Sequence, residues 1–283
     1  MSKADAIFTD MCQDILDNGC SSEGHEVRAR WPDGAPAHTV KRFGVVNRYD
    51  LSEEFPALTL RPIPLTLCVD ELLWIWQQKS NNIGYLKSHI WDSWADSSGS
   101  IGKAYGYQLG VKYDFGDGRI MDQVDNVLWQ LEHTPYSRRI MTNIYNFADL
   151  AEMGLEPCAY SVTFNVTDTG DGRRGRLNAI LNQRSQDVLA ANAWNVCQYA
   201  VLLHMFAQVS GYEAGELVHV IADAHIYDRH IPTVEELINR PRHPAPLLLM
   251  DGGVTDFYDF TPGSVRFEGY ETGPQITGIP IAV

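Results

Sequence analysis

Residues 137–166 read SRRIMTNIYNFADLAEMGLEPCAYSVTFNV. The stretch joins an arginine pair, Arg138 and Arg139, to Cys158, which follows Pro157 and precedes the alternating run Tyr160, Val162, Phe164, Val166. Alternation with a period of two marks a half-buried strand, so the thiol stands at a loop-to-strand junction, where a nucleophile can be presented. Downstream, the glycine-rich TGDGRRG at 169–175 is followed by RLNAILNQRSQD, in which Leu177, Ala179 and Leu181 alternate again. Two alternating runs flanking a turn predict neighbouring strands, which bring Arg184 and Ser185 back towards Cys158.

Helical segments surround this pair. Ile7, Met11, Ile15 and Leu16 fall at helical spacing before Gly19, predicting a first helix that ends there. LTLCVDELLWIWQQKS at 65–80 carries a broad apolar face for a buried helix. Glu71 lies inside that apolar run and either snorkels, pairs, or sits desolvated with a raised pKa, as general acid/base work requires. Val124, Val127, Leu128 and Leu131 describe an amphipathic helix ending near Pro135. Trp194–Ser210 is apolar almost all round and stops at Gly211, a buried central helix. Asn195 at its start is either an N-cap or an amide able to read a base edge. ELVHVIADAHIY at 216–227 is a strand delivering Asp223, His225 and Tyr227 on alternating positions, and PLLLMD and SVRFEGY are further short strands. Trp91 and Trp94 read as an aromatic core patch beside a loop. Arg28 and Arg30 lie in a Pro/Gly-marked loop as phosphate contacts or solvated side chains.

A chain of 283 residues with 45% hydrophobic content supports one large core, and no linker, repeat or low-complexity tract divides it, so residues 1–283 are expected to form one domain. The net charge of −14 argues against broad binding to nucleic acid or an anionic membrane and leaves anion binding to local arginines. Cys12, Cys20, Cys68, Cys158 and Cys197 are odd in number and lack CxxC spacing, so no disulfide framework or zinc site is indicated, and no metal is expected. No signal segment or apolar span is recognisable. The expectation is an unprocessed cytoplasmic protein.

Taken alone, Cys158 is one thiol among five, and buried cysteines are more often inert than catalytic. Four arginines drawn near it would stabilise a thiolate and hold a phosphate, and a buried carboxylate and a helix-start Asn complete a covalent site for a phosphorylated substrate with a polar edge.

The blocks SRRI, EPC, NQRSQDV, WNVCQYAVLLHMFAQVSGYEAGELVH, DAHIYDRH, IWDSWAD and DELLWIWQ resemble those of the folate-dependent thymidylate synthases, and the resemblance extends to the C-terminal IAV. It implies an α/β (α+β) domain with a large mixed, mostly antiparallel twisted sheet covered by helices, the sheets of two copies packing in a homodimer. It also implies transfer of a one-carbon unit from 5,10-methylenetetrahydrofolate to C5 of a pyrimidine nucleotide, with dUMP methylated reductively. By the same resemblance Cys158 would add to C6, Glu71 would shuttle protons, and Tyr105 would lie beside the C5 proton. Arg28, Arg184 and Ser185 would grip the phosphate, with Arg138 and Arg139 donated by the second subunit. Asn195 would read O4 and N3, and His225 and Tyr227 the sugar hydroxyl. Trp91 would shelter the exocyclic methylene, while Asp187, Ala191 and Val283 would meet the folate.

Several positions depart from the usual family pattern: Thr59, Leu60 and Arg61; Ala159 in place of His; Ala190, Ala191, Asn192, Ala193 and Trp194 ahead of Asn195; and Ala222 before Asp223. Changes of this kind beside base and folate reshape the pocket. They leave a second reading open, a 5-hydroxymethyltransferase acting on dUMP, dCMP or CMP in which water replaces hydride.

Overall fold

In the computed structural model, which describes residues 1–116, 118–168, 170 and 175–283, α1 (Lys3–Asn18) leads into β1 (Cys20–Ser21) and the long β2 (Thr39–Asp50). Gly19 ends α1, as expected, but with φ −73° and not in the left-handed region. Its smallness answers to space, because a Cβ would collide with Ile15 O and the Val40 side chain. The chain continues through α2 (Leu65–Trp76), α3 (Gly106–Gly110), the β3 (Tyr113–Asp114) and β4 (Ile120–Met121) hairpin, and α4 (Gln123–His133). In α4 Asp122 caps by accepting from Asp125 N.

β5 (Met141–Asn143), β6 (Ala159–Thr167) and β7 (Arg176–Gln183) follow, then β8 (Gln186–Asp187), α5 (Asn192–Ser210) and β9 (Glu213–Tyr227). The chain closes with α6 (Ile231–Ile238), β10 (Leu247–Met250) and β11 (Val265–Glu268), the last two paired antiparallel. Five residues of the predicted glycine-rich turn, 169 and 171–174, lie outside the described residues.

The main sheet runs β1-β2-β9-β7-β6-β5, with β8 added beside β9. Every pairing is antiparallel except those of β7 and β8 with β9. A parallel pair needs a crossover, and α5 supplies it. The helix is apolar on all sides because it is enclosed: it packs on β7 and β9 and against α2 and α4. Each large side chain that it buries, among them Leu202, Leu203 and Phe206, contributes about 1.5–3 kcal/mol. Gly211 ends it at φ 73°, with the N–H of Tyr212 returning to Ala207 O.

The sheet's other face is open. One cross-strand row there runs Met141, Thr163, Ile180, Val218, Arg48, and Met141, Ile180, Val46 and Phe43 are 44%, 41%, 52% and 92% exposed. Among the described residues no helix is long and apolar enough to cross a membrane.

Candidate active site

Because β7, β8 and β9 are parallel and β6 runs against them, one end of the sheet collects the finish of three strands and the start of a fourth. Ligand crevices in such sheets form outside the carboxyl ends of the parallel strands. Cys158 precedes Ala159, which pairs with Gln183; Arg184 and Ser185 follow β7; Asp187 pairs with His225; Tyr227 ends β9; and Ala191 and Asn195 open α5. The predicted approach of Arg184 to Cys158 is present: Arg184 N donates to Cys158 O at 3.0 Å, and its guanidinium donates to Pro157 O at 3.0 Å and Glu156 O at 2.7 Å.

Cys158 is half-buried, and its backbone N–H donates to the Tyr105 hydroxyl at 3.1 Å. Tyr105 holds φ 43°, a strained conformation for a side chain of its size, and is buried against Trp91 with ring centroids 4.9 Å apart. Burial pushes the Cys158 thiol up, while the Arg184 and Arg28 guanidiniums and a hydrogen bond from Tyr105 pull it down. Of the four arginines, Arg28 and Arg184 of the same chain act on the thiol. Arg138 and Arg139 are exposed and lead into Ile140, whose carbonyl accepts from Phe164 N. Phe164 is six residues along β6 from Cys158, about 20 Å at the rise of a strand.

Glu71 sits on the face of α2 packed against α5 and is 5% exposed, with Oε2 buried and unpartnered. Of the three alternatives the desolvated one holds: burial raises its carboxyl to about 7 against hydrogen-bonding contributions from Gln198, Trp91 and Trp194. The N-cap reading of Asn195 is overturned. α5 starts three residues earlier, with Ala191 in the cap position and Asn192 as the first helical residue, so Asn195 lies in the first turn with its amide among Gln183, Gln186 and Gln198. Trp91 is buried, touching Trp74 and Trp94, as an aromatic patch should.

His225 is 7% exposed and its Nδ1 meets Asp223 Oδ1 at 2.9 Å, while burial pushes the neighbouring Tyr227 hydroxyl up to about 12. Asp187 accepts from Ala190 N at 3.0 Å and faces His230 Nδ1 at 3.5 Å. His230 in turn meets Pro280 O at 2.8 Å, and Val283 exchanges backbone hydrogen bonds with Arg30 at 3.0 and 2.8 Å, lacing the C-terminus to the Arg28 loop. Of the residues departing from the family pattern, Thr59 is occupied by buried Asp5, accepting from its N–H at 2.7 Å, and Arg61 donates to Leu189 O at 2.5 Å beneath Asp187. Sequence reasoning missed Gln198 and His230, and it singled out Trp194 only as a departure from the family pattern, not as a neighbour of Glu71. Gln198 was detectable in principle as one of the few polar residues in an otherwise apolar helix, three positions after Asn195.

The sequence model of the family described as "Thymidylate synthase" matches residues 6–283. The chain belongs to the thymidylate synthase family. Thymidylate synthase of Bacillus licheniformis is 41% identical over 281 residues, 98% of each chain. Thymidylate synthase 1 of Bacillus subtilis strain 168 is 40% identical over 280 residues, again covering 98% of each. The solved structure of thermostable thymidylate synthase A from Bacillus subtilis superposes with a TM-score of 0.91 at 40% identity and covers 99% of both chains. The expected mixed sheet with helical cover is that of this family, and the chain is a methyltransferase. These relatives, named as thymidylate synthases, do not favour the hydroxymethylating alternative.

Proposed function

We propose that the protein converts dUMP to dTMP, with Cys158 as nucleophile and 5,10-methylenetetrahydrofolate as co-substrate. The observation that carries this reading is the convergence on one sheet end of a half-buried thiol, a buried carboxyl near 7 and a carboxamide held by three glutamines. A thiolate at Cys158 adds to C6 of the pyrimidine, making C5 the nucleophile, and later leaves again with the C6–S electron pair. Asn195 keeps an N–H for O4, which suits uracil and not the amino group of cytosine. Arg184, Ser185 and Arg28 bind the phosphate beside the thiol, and His225 and Tyr227 meet the sugar hydroxyl. Glu71, near 7, takes and returns protons at working pH, and Tyr105, whose buried phenol stays protonated, lies beside the C5 proton to be removed.

The folate, when bound, supplies both the carbon and the hydride. Asp187, Ala191, Trp91 and Val283 are the residues to hold it. The unpartnered buried Nδ1 of His230 beside the half-buried Asp187 carboxylate suits a flat ring rich in N–H groups.

The reading includes a homodimer in which Arg138 and Arg139 serve the neighbouring site. Their distance along β6 from their own Cys158 supports this, as does the uncovered apolar sheet face. It also takes residues 1–283 as one catalytic domain, supported by a core continuous from Ala4 to Val265. Five unpaired cysteines suit a reducing cytoplasm.

The test is incubation with methylenetetrahydrofolate and, in turn, dUMP, dCMP, UMP and CMP. The expected result is dTMP from dUMP with one dihydrofolate formed per turnover, read by product mass and absorbance. A 5-hydroxymethyl product without dihydrofolate would overturn it.

A further inference from the structure

Outside the residues assigned above, the densest unexplained chemistry lies between α2 and α5. Gln198 is 3% exposed, and each end of its amide is engaged. Its Oε1 accepts from Asn195 Nδ2 at 3.4 Å, and its Nε2 donates to Cys68 O at 3.2 Å. With the oxygen taken, its second N–H is what faces the Glu71 carboxyl. Trp194 lies four residues before Gln198, so the two share one face of α5. The Trp194 indole N–H is buried with no other partner and faces the same carboxyl, whose Oε2 is itself unpartnered.

The Asn195 end is equally constrained. Its Oδ1 accepts from Gln183 Nε2 at 3.4 Å and from Gln186 Nε2 at 3.3 Å. Gln183 is oriented in turn by His219, whose Nε2 bonds Gln183 Oε1; burial keeps that imidazole neutral by lowering its pKa to about 3. Hydrogen bonds thus link His219, Gln183, Asn195 and Gln198 in one chain, and the Gln198 nitrogen at its end reaches the α2 carbonyl of Cys68, one turn before Glu71.

We infer that Gln198 is a positioning residue that couples the two halves of the site, fixing the direction of the Asn195 amide with its oxygen and the ionisation of Glu71 with its nitrogen, while Trp194 supports Glu71 alone. The inference rests on the roles proposed above for Glu71 and Asn195. Both donors favour the charged carboxylate, so losing either raises the carboxyl. The other groups facing Glu71 are Asp70 and Cys68 on α2, Tyr199 on α5 and Tyr105 before α3. The thiol and both phenols are pushed up and stay neutral at working pH, leaving Asp70 as the charged neighbour. For the base, cytosine demands that Asn195 turn its oxygen outward, and the acceptor on Gln198 opposes that turn.

The test uses the full-length enzyme and two near-isosteric changes, Gln198→Met and Trp194→Phe, measuring kcat/KM against pH with dUMP and the ratio of kcat/KM for dUMP to that for dCMP. Gln198→Met is expected to move the limb that titrates near 7 upward by about one pH unit, a tenfold change in the ionisation constant, and to cut the dUMP preference by about fivefold to tenfold. Trp194→Phe should move the limb in the same direction by about half as much and leave the preference unchanged. A folded Gln198→Met enzyme that keeps either the limb or the preference of the parent overturns the coupling, and an unmoved limb in Trp194→Phe overturns the donor assignment. Glu71→Gln separates the two levels of the argument. Normal turnover in that variant removes the role of Glu71 itself; lost turnover alongside an unmoved Gln198→Met removes only the coupling.

Discussion

On the strand-end wall Cys158 stands half-buried beside Arg184 and Arg28, whose charges pull its thiol down against the larger effect of burial. On the helix wall Glu71 is enclosed by indole and amide groups of the chain's own helices and loops. The first wall is incomplete: Arg184 spends its guanidinium on the carbonyls of Glu156 and Pro157, and Arg138 and Arg139 lie far along β6. The second is preorganised, and it holds a buried acceptor and two buried donors without full partners. On the roles proposed above, the contrast teaches that the nucleophile would be finished from outside, by substrate phosphate and a second subunit, whereas the proton-handling group would be set by the fold at some cost in stability.

The largest effect that probes this contrast is loss of the thiol. Cys158→Ala should lower turnover by on the order of 10⁴ or more and abolish the covalent adduct with a 5-fluoro analogue of dUMP, seen as a mass shift on denatured protein. dUMP binding by calorimetry should persist within a few-fold, because the arginines remain. An adduct formed by this variant would remove Cys158 from the chemistry.

The next effect tests where the strand-end wall is completed. Arg138→Glu should be inactive alone, and so should Cys158→Ala. Refolded together from equal amounts, they should regain about a quarter of native activity, since a two-fold dimer mixed at random yields half heterodimers with one intact site each. Each chain carries its own Arg184 and Arg28, so recovery requires that Arg138 act across the interface. A mixture as inactive as its components, while still dimeric by sedimentation, would place the Arg138 defect within its own subunit.

Most of this architecture was legible in the sequence, for identifiable reasons. The alternation in β6 and β7 and the period of α4 survive because each buries one face only, and the hairpin reading alone brought Arg184 to Cys158. The start of α5 was misplaced because Asn192 and Ala193, polar and small, are themselves buried and look like loop residues. Asn195 resembles a cap by composition; its real partners, Gln183, Gln186 and Gln198, come from β7, β8 and one helical turn on, which only the crossover brings together. Glu71 was recognisable as anomalous, yet its environment depends on Trp194 and Gln198, more than 120 positions away. Arg138 and Arg139 lie 20 and 19 positions before Cys158 in sequence, but they lead into β5, beside the far end of β6 from the thiol, a separation that only the strand pairing shows.

The smallest of these effects concerns the cost of the helix wall, and its sign follows from linkage. The Glu71 carboxyl titrates near 4.5 when unfolded and near 7 when folded. Below 4.5 both states hold the proton and no cost is incurred. Between 4.5 and 7 the unfolded chain releases it while the fold retains it, so native stability falls as pH rises; above 7 the fold carries a buried charge and the loss levels off at about 3 kcal/mol. Glu71→Gln removes this titration while keeping the volume and an acceptor oxygen. The variant should therefore gain on the native protein progressively from pH 4.5 to 7.5 in denaturant unfolding, most of the gain arising above pH 5.5, even as turnover collapses. Other titrating groups are common to both proteins and cancel in the difference. A stability difference that stays flat across this range would mean that Glu71 is solvated in the fold, and the distinction between a preorganised wall and an unfinished one would go with it.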